Sequence, residues 1–193
     1  MRTDPMKALK ILAFAGSSRE GSYNQMLIKS IMGVAPQQNW TYVDLRALEL
    51  PIYDGDLEAQ GTPEGANKFK EMIRSHDAII IATPEYNGGF PALIKNALDW
   101  ASRRGKDEAS CYSNKIAAIA ATSPGRLGGI RVLPKLRAQL QDLGVTVIPN
   151  QVAVASASKA WENGQLVDER AQRSIDSLVA DLVQMGTALK IQD

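Results

Sequence analysis

The residue types best suited to chemistry lie in three short segments, and the first of them is suited to holding a phosphate. Residues 16–24 (GSSREGSYN) combine two glycines, three serines and one arginine ahead of a helical pattern. Free N–H groups at a helix start, serine hydroxyls and a guanidinium all donate hydrogen bonds to phosphate oxygens. The segment matches neither G-x-G-x-x-G nor G-x-x-x-x-G-K-[ST], so the common dinucleotide and nucleoside-triphosphate fingerprints are absent. The alternative interpretation is an ordinary helix start capped by Ser22.

Two further segments are rich in glycine and small polar residues. Residues 84–91 (PEYNGGFP) offer Tyr86, Asn87 and two flexible glycines, which could pack under a flat ring and present N–H groups to its polar edge. Residues 122–129 (TSPGRLGG) would let a ligand approach the backbone closely. Each segment taken singly is also explained by ordinary turn chemistry. Three of them at one edge of a sheet favour a binding site.

Nucleophilic and metal-ligating side chains are scarce. The 193 residues include one cysteine, Cys111, and one histidine, His76, so we expect neither a disulfide framework nor a Cys/His zinc site. We interpret His76 as a helix-end residue, and Cys111 as an incidental residue of a polar loop rather than a redox switch. The sequence therefore predicts no metal and nominates no catalytic side chain.

Charge and hydropathy indicate an ordinary globular protein. Lysine and arginine number 22 against 21 acidic residues, and a net charge of +1 provides no long-range attraction for nucleic acid. Residues 1–7 lack the apolar core of a signal peptide, and no stretch approaches the ~20 apolar residues of a membrane span. We predict one cytoplasmic domain over residues 1–193, with residues 1–7 as a flexible N-terminal extension and no membrane partner.

Short apolar strands must position the three segments. Residues 10–15, 77–83, 116–121 and 145–148 are apolar runs that are too short for helices and do not alternate with polar residues. Such runs are typical of strands buried on both faces of a parallel sheet. A weaker run at residues 40–43 could add an edge strand.

Helical patterns separate these strands and define the fold class. Apolar residues recur at helical spacing in four groups: Ile28, Ile31, Met32 and Ala35; Ile94, Ala97, Leu98 and Ala101; Leu133, Leu136, Leu140 and Leu143; and Ile175, Leu178, Val179 and Leu182. The alternation predicts a flavodoxin-like, doubly wound α/β fold, with a five-stranded parallel sheet of order 2-1-3-4-5 and helices on both faces. Ligands of such sheets bind beyond the carboxyl ends of the strands, where the three segments would meet. Residues 45–65 are predicted to form a long surface loop beside the site.

The three segments, in this order, resemble motifs of the NADPH-dependent FMN reductase family, a flavodoxin-like group that includes quinone, azo and chromate reductases. Residues 16–24 are similar to its G-S-x-R-x-x-S-x-N loop. Residues 84–100 match P-E-Y-N-x-x-x-P-x-x-x-K-N-A-x-D-W, and residues 123–131 resemble its third loop. The resemblance extends from about Lys10 to about Ile148.

The resemblance implies an FMN site. Its phosphate would be held by Ser17, Arg19, Ser22, Tyr23 and Asn24. Its ring system would contact Pro84, Glu85, Tyr86, Asn87 and Gly88, with Ser123 and Gly125 closing the other side.

The implied activity passes hydride from NADPH or NADH through bound FMN to a small acceptor such as a quinone, an azo compound, free flavin or a metal oxyanion. A shared ring face predicts ping-pong kinetics. One alternative is a flavodoxin-type electron carrier without pyridine-nucleotide turnover, and another is an inactive flavin-sequestering protein. Electron carriers of this fold are often acidic, so the near-neutral charge favours the enzyme.

The resemblance also implies a homodimer or homotetramer with the flavin near a subunit interface. Trp100 and residues 45–65 are the predicted subunit contacts. The acceptor and the choice between NADPH and NADH stay open at this point.

Overall fold

The computed structural model describes residues 8–106 and 108–190, so the predicted N-terminal extension lies outside the described residues. The strands are β1 (Lys10–Ala15), β2 (Asn39–Val43), β3 (Ala78–Thr83), β4 (Ile116–Thr122), β5 (Thr146–Val154), β6 (Trp161–Glu162) and β7 (Gln165–Leu166). The helices are α1 (Tyr23–Val34), α2 (Gly55–Gln60), α3 (Glu64–Ser75), α4 (Ala92–Ser102), α5 (Leu133–Asp142), α6 (Ala157–Ala160) and α7 (Glu169–Lys190). A 3₁₀ turn covers Leu45–Leu48.

The five long strands form a parallel sheet in the order β2-β1-β3-β4-β5, which confirms the predicted fold class and strand order. All residues of β3 and β4 are buried, because helices cover both faces of the sheet. Ile11 and Ala13 of β1 face the cluster that includes α1 and α7. Leu12 and Phe14 face the cluster that includes α3, α4 and α5. The unbroken apolar runs of the sequence follow from this two-sided burial.

The last strand is longer than its apolar run predicts. β5 continues through Pro149, which an edge strand tolerates because its outer side needs no ladder bond. The register with β4 shifts between Ala117 and Ile119, a bulge in the pairing. Arg137 satisfies carbonyl groups at this irregularity, donating to Val147 O at 3.2 Å and Ile148 O at 2.7 Å.

The prediction of one long loop over residues 45–65 is wrong. The segment contains the 3₁₀ turn, with Leu45 and Leu48 buried, then α2, and the first residues of α3. Asp54 caps α2 by accepting hydrogen bonds from Asp56 N at 2.7 Å and Leu57 N at 3.2 Å. Helix α3 was not predicted, although Ala66, Phe69 and Ile73 mark its buried face at helical spacing.

Trp100 cannot be the predicted subunit contact, because its side chain is fully buried inside the protomer. Its Nε1 donates to Pro51 O at 2.8 Å. Asn96, four residues earlier, donates to the same carbonyl at 2.8 Å and accepts from Tyr53 N at 2.8 Å. These two residues of the K-N-A-x-D-W motif therefore hold residues 50–53 against α4.

The single histidine and the single cysteine both form hydrogen bonds within the fold. His76 ends α3, as predicted, with Nδ1 2.6 Å from Met72 O and Nε2 2.8 Å from Thr41 Oγ1. Cys111 is 3 % exposed rather than displayed on a polar loop, and its thiol donates to Ala101 O at 3.2 Å. Burial raises the pKa of the Cys111 thiol to about 11.

Over the described residues, no helix combines the length and apolar character needed to cross a membrane. The same part of the chain contains no cluster of three or more His, Cys, Asp or Glu side chains arranged to hold a metal ion.

Candidate functional site

Loop 1, defined as residues 16–22, joins β1 to α1 and presents a helix N-terminus. Ser22 is the N-cap of α1 by position, but its side chain makes no capping hydrogen bond within the described chain. The predicted alternative of a serine-capped helix start is therefore not what the structure shows. The first N–H groups of α1 keep their capacity to bind an anion. Gln25 Nε2 donates to Ser17 O at 3.1 Å and fixes the loop.

Arg19, which the sequence predicts to contact the phosphate, is exposed on loop 1. Its guanidinium makes a long hydrogen bond of 3.4 Å to Gly21 O. Ser17 and Ser22, on the same loop, are buried residues. Guanidinium and hydroxyl groups are both donors to phosphate oxygens, so loop 1 carries the residue types of a phosphate site ahead of α1.

Tyr23 and Asn24, the other two residues predicted at the phosphate, have other partners. The Tyr23 ring packs against the ring of Trp161 with centroids 6.1 Å apart. The Asn24 side chain is buried and bonds to the main chain of Thr122. The hairpin that carries Trp161 follows β5 and was not predicted, because its two strands have only two residues each.

Loop 2, defined as residues 84–91, is a tight turn between β3 and α4. Tyr86 N–H donates to Gly89 O and Gly89 N–H donates to Tyr86 O, each at 2.9 Å. Asn87 and Gly88 lie between them with φ of 52° and 75°, the positive pair that defines a type I′ turn. Asn and Gly tolerate this geometry best, which explains the Asn-Gly sequence. Tyr86 is 57 % exposed in this turn.

Loop 3, defined as residues 123–132, is tied to the end of β5. Ala157 N–H donates to Ser123 O at 3.1 Å and Ser156 N–H donates to Gly125 O at 3.0 Å. Gly128 has φ of 60°, and a Cβ there would lie 2.6 Å from the carbonyl carbon of Val154. This glycine is required by both conformation and space. Ser123 and Gly125, the predicted ring contacts, are consequently held in fixed positions.

The three loops meet at the carboxyl edge of β1, β3 and β4, as predicted. Loop 1 packs on the start of loop 2 and on α4, since a Cβ at Gly16 would lie 3.4 Å from Pro84 Cδ and 2.3 Å from Ile94 Cδ1. Loop 2 joins loop 3 through the ion pair of Glu85 with Arg131, whose Nε donates to Glu85 Oε1 at 2.7 Å. The Glu85 side chain is 7 % exposed, and its Oε2 is buried without a hydrogen-bond partner among the described residues.

The charges around this edge are unevenly distributed. Loop 3 and the first turn of α5 carry Arg126, Arg131 and Lys135, and a Cβ at Gly88 would lie 3.4 Å from Lys135 Nζ. The segment that follows β2, at the other end of the edge, carries five acidic residues: Asp44, Glu49, Asp54, Asp56 and Glu58. An anionic ligand is therefore favoured on the β4 side of the edge.

An apolar cleft between residues 52–53 and α4 was not predicted. It is lined by Ile52, Tyr53, Ala92, Leu93, Lys95, Asn96 and Asp99. Ile52 is 86 % exposed, which is unusual for an isoleucine. The sequence signal was the apolar group Leu50-Pro-Ile-Tyr53 inside a segment interpreted as a long surface loop.

The donor set fits FMN. The uncapped start of α1 with Ser17, Arg19 and Ser22 suits a phosphate dianion. Exposed Tyr86 and the backbone of loops 2 and 3 suit a flat heteroaromatic ring. The unpartnered, buried Glu85 Oε2 is an acceptor that an N–H group of such a ring can satisfy.

Comparison with known proteins agrees with this geometry. The sequence profile of a family described as NADPH-dependent FMN reductase matches residues 9–159. Over 170 residues the chain is 37% identical to the NAD(P)H-dependent FMN reductase PA1204 of Pseudomonas aeruginosa, covering 86% of this chain and 89% of that protein. Over 175 residues it is 33% identical to the 2-hydroxy-1,4-benzoquinone reductase of a Burkholderia species, covering 89% of this chain and 93% of that protein.

The fold has close counterparts among solved structures. FerB, a flavoenzyme NAD(P)H:(acceptor) oxidoreductase from Paracoccus denitrificans, matches with a TM-score of 0.84 at 28% identity, over 94% of this chain and 98% of FerB. The family profile spans most of the chain and contains all three loops. The chain therefore belongs to the NADPH-dependent FMN reductase family.

Proposed function

We propose that this protein is an NAD(P)H oxidoreductase that passes reducing equivalents through bound FMN to a small acceptor. The observation that carries the proposal is the meeting of three motif-bearing loops at one sheet edge, beside an uncapped helix N-terminus. The relatives named as FMN and quinone reductases support it. FMN, when bound, supplies the hydride chemistry.

The residues of the site would bind and orient the flavin. Ser17, Arg19, Ser22 and the first N–H groups of α1 would hold the phosphate, with Tyr23 and Asn24 supporting the same helix start. Pro84, Glu85, Tyr86, Asn87 and Gly88 would contact the ring, and Ser123 and Gly125 would close its other side. Neither the single histidine nor the single cysteine belongs to these loops, so no proton transfer is assigned to either.

The test is anaerobic mixing of the FMN-loaded protein with NADPH, and separately with NADH, in a stopped-flow spectrometer. The expected result is bleaching of the flavin band within seconds, followed by recovery of the band when a quinone is added. A flavodoxin-type carrier would bind FMN and keep its colour with both nucleotides. An FMN-loaded protein that fails to bleach would therefore contradict the oxidoreductase and leave the carrier.

A quinone is the acceptor class that the relatives favour, because a quinone reductase of Escherichia coli is 30% identical over 182 residues. The matched comparison is turnover with a benzoquinone, an azo dye, free FMN and chromate at equal concentration. The proposal expects the highest kcat/KM with the quinone. A higher value for one of the other three would reassign the acceptor.

We also propose a homodimer or homotetramer, located in the cytoplasm, with the flavin near a subunit interface. The apolar cleft around Ile52 replaces Trp100 as the candidate contact, since Ile52 is 86 % exposed and lies beside the first turn of α4, which follows loop 2. Light scattering at working concentration should give an oligomer, and Ile52→Asp should dissociate it. A wild-type monomer would contradict this proposal, and cell fractionation would test the location.

A further inference from the structure

Asn24 is a buried polar residue at the junction of loops 1 and 3. It is 4 % exposed, and both polar atoms of its side chain bond to one residue 98 positions away. Nδ2 donates to Thr122 O at 3.1 Å, and Thr122 N–H donates to Oδ1 at 3.1 Å. Only one orientation of the amide satisfies both bonds, so these contacts fix the side chain.

The Asn24 amide continues the hydrogen bonding of β4 beyond the end of β3. The ladder between β3 and β4 ends with Thr83 beside Ala121, so Thr122, the last residue of β4, has no partner residue in β3. Thr122 is 1 % exposed, and a buried backbone group without a hydrogen bond is costly. Asn24 supplies a donor to the Thr122 C=O and an acceptor to its N–H at this point.

The other side of Thr122 is held by β5. Its Oγ1 donates to Val154 O at 2.8 Å, and Ser123 N–H approaches the same carbonyl at 3.4 Å. Thr122 is thus hydrogen-bonded to both α1 and β5 at the point where loop 3 begins. The positions of Ser123 and Gly125 in loop 3 depend on these hydrogen bonds.

We infer that Asn24 is a positioning residue, which braces the start of loop 3 against the start of α1 and so shapes the ring portion of the flavin site instead of binding the phosphate. The inference rests on the proposed function, because it assigns a role within the proposed FMN site. It separates Asn24 from Ser17, Arg19 and Ser22, whose polar groups remain open to a ligand.

The experiment compares FMN with riboflavin, which has the same ring and no phosphate. Dissociation constants of both flavins are measured by fluorescence titration of the full-length apoprotein and of Asn24→Leu. A positioning role predicts that both affinities fall by the same factor, about ten-fold or more, because two buried hydrogen bonds are lost. The matched control is Arg19→Ala, for which FMN affinity falls and riboflavin affinity stays unchanged.

Asn24→Asp provides a second variant with a pH signature. The ionised carboxylate still accepts from Thr122 N–H, but it places a negative oxygen against Thr122 O. Protonation restores a donor, so riboflavin affinity of this variant should recover as the pH falls through the pKa of the buried carboxyl, which burial raises. The wild-type protein should bind riboflavin equally well over that pH range.

Loss of FMN affinity alone, with riboflavin binding intact in both Asn24 variants, would overturn the inference and place the side chain at the phosphate. A lower melting temperature with both flavin affinities unchanged would also overturn it, since the role would then be in folding alone. Failure of the wild-type protein to bind either flavin would instead refute the proposed function.

Discussion

At the scale of single residues, exposure and hydrogen bonding separate side chains that can reach a ligand from those that support the site. Arg19 is exposed and weakly bonded, whereas Asn24, two positions after Ser22, is buried and doubly bonded. Both belong to the same nine-residue motif. A motif position therefore does not by itself tell whether a side chain contacts the ligand.

Replacing Arg19 or Ser22 with alanine should weaken FMN binding without changing riboflavin binding. Arg19→Ala should lower FMN affinity about ten-fold, because a charge-assisted hydrogen bond is lost. Ser22→Ala should lower FMN affinity about two- to ten-fold, because one hydroxyl is lost. Fluorescence titration measures both flavins. Arg104→Ala, an exposed cation outside the three loops, is the matched control. Unchanged FMN content in both site variants would refute the phosphate assignment.

Cys111 should be unreactive in the folded protein. Burial raises the pKa of its thiol from 9.0 to about 11, which leaves about 100-fold less thiolate at neutral pH. Mass spectrometry after iodoacetamide treatment should show slow alkylation of the native protein and rapid alkylation in urea. Rapid labelling of the native protein would restore Cys111 as a candidate redox switch.

At the scale of elements, close backbone contacts decide how the segment after β2 packs. Gly65 in the first turn of α3 lies against the 3₁₀ turn, and a Cβ there would come within 1.9 Å of Leu48 O. Backbone atoms cannot give way as a flexible side chain can. The glycine therefore sets the distance between α3 and the turn that carries buried Leu45 and Leu48.

Two helical glycines give a matched test of this packing. Gly65→Ala should lower the free energy of unfolding by about 1–3 kcal/mol or more, because the helix must move away from the turn. Gly33→Ala in α1 should raise it by about 0.5–1 kcal/mol, since no atom beyond the adjacent residues and the nearby helix backbone lies within 4 Å of the added Cβ and alanine favours the helix. Urea denaturation measures both values. Equal effects of the two substitutions would argue against the close contact.

At the scale of the whole molecule, positive and negative side chains nearly cancel to a net charge of +1, but they are separated along the carboxyl edge of the sheet. Arg126, Arg131 and Lys135 lie on the β4 side, while acidic residues gather after β2. Pyridine nucleotides carry several phosphate charges, so this asymmetry favours their approach from the β4 side.

Lys135→Ala should raise the KM for NADPH about two- to five-fold at low ionic strength and leave kcat unchanged, because an exposed charge contributes through screened attraction. Added salt should raise the KM of the wild-type protein and reduce the difference between the two proteins. Steady-state kinetics over a salt series measures this. Lys68→Ala, which removes an exposed cation on α3, should behave as wild type.

How much could be predicted from the sequence depended on the range of the interactions involved. Unbroken apolar runs in β1, β3 and β4 predicted the parallel sheet, because two-sided burial excludes polar residues from such strands. The three loops were predicted because their residue types are those that contact phosphate and flat rings. The 3₁₀ turn was missed because glycines and prolines at residues 45–65 favoured a loop. Helix α3 was missed although Ala66, Phe69 and Ile73 recur at helical spacing just after that segment.

The sequence by itself determined the fold class, the strand order and the edge at which the loops meet, since periodicity and chain order are local properties. Only the tertiary structure decided which way individual side chains are directed. Trp100 is buried and donates to Pro51 O, whereas Ile52 is exposed. Asn24 bonds to Thr122, 98 residues away. Those outcomes depend on packing and hydrogen bonding between residues far apart in the chain, which neither spacing nor composition records.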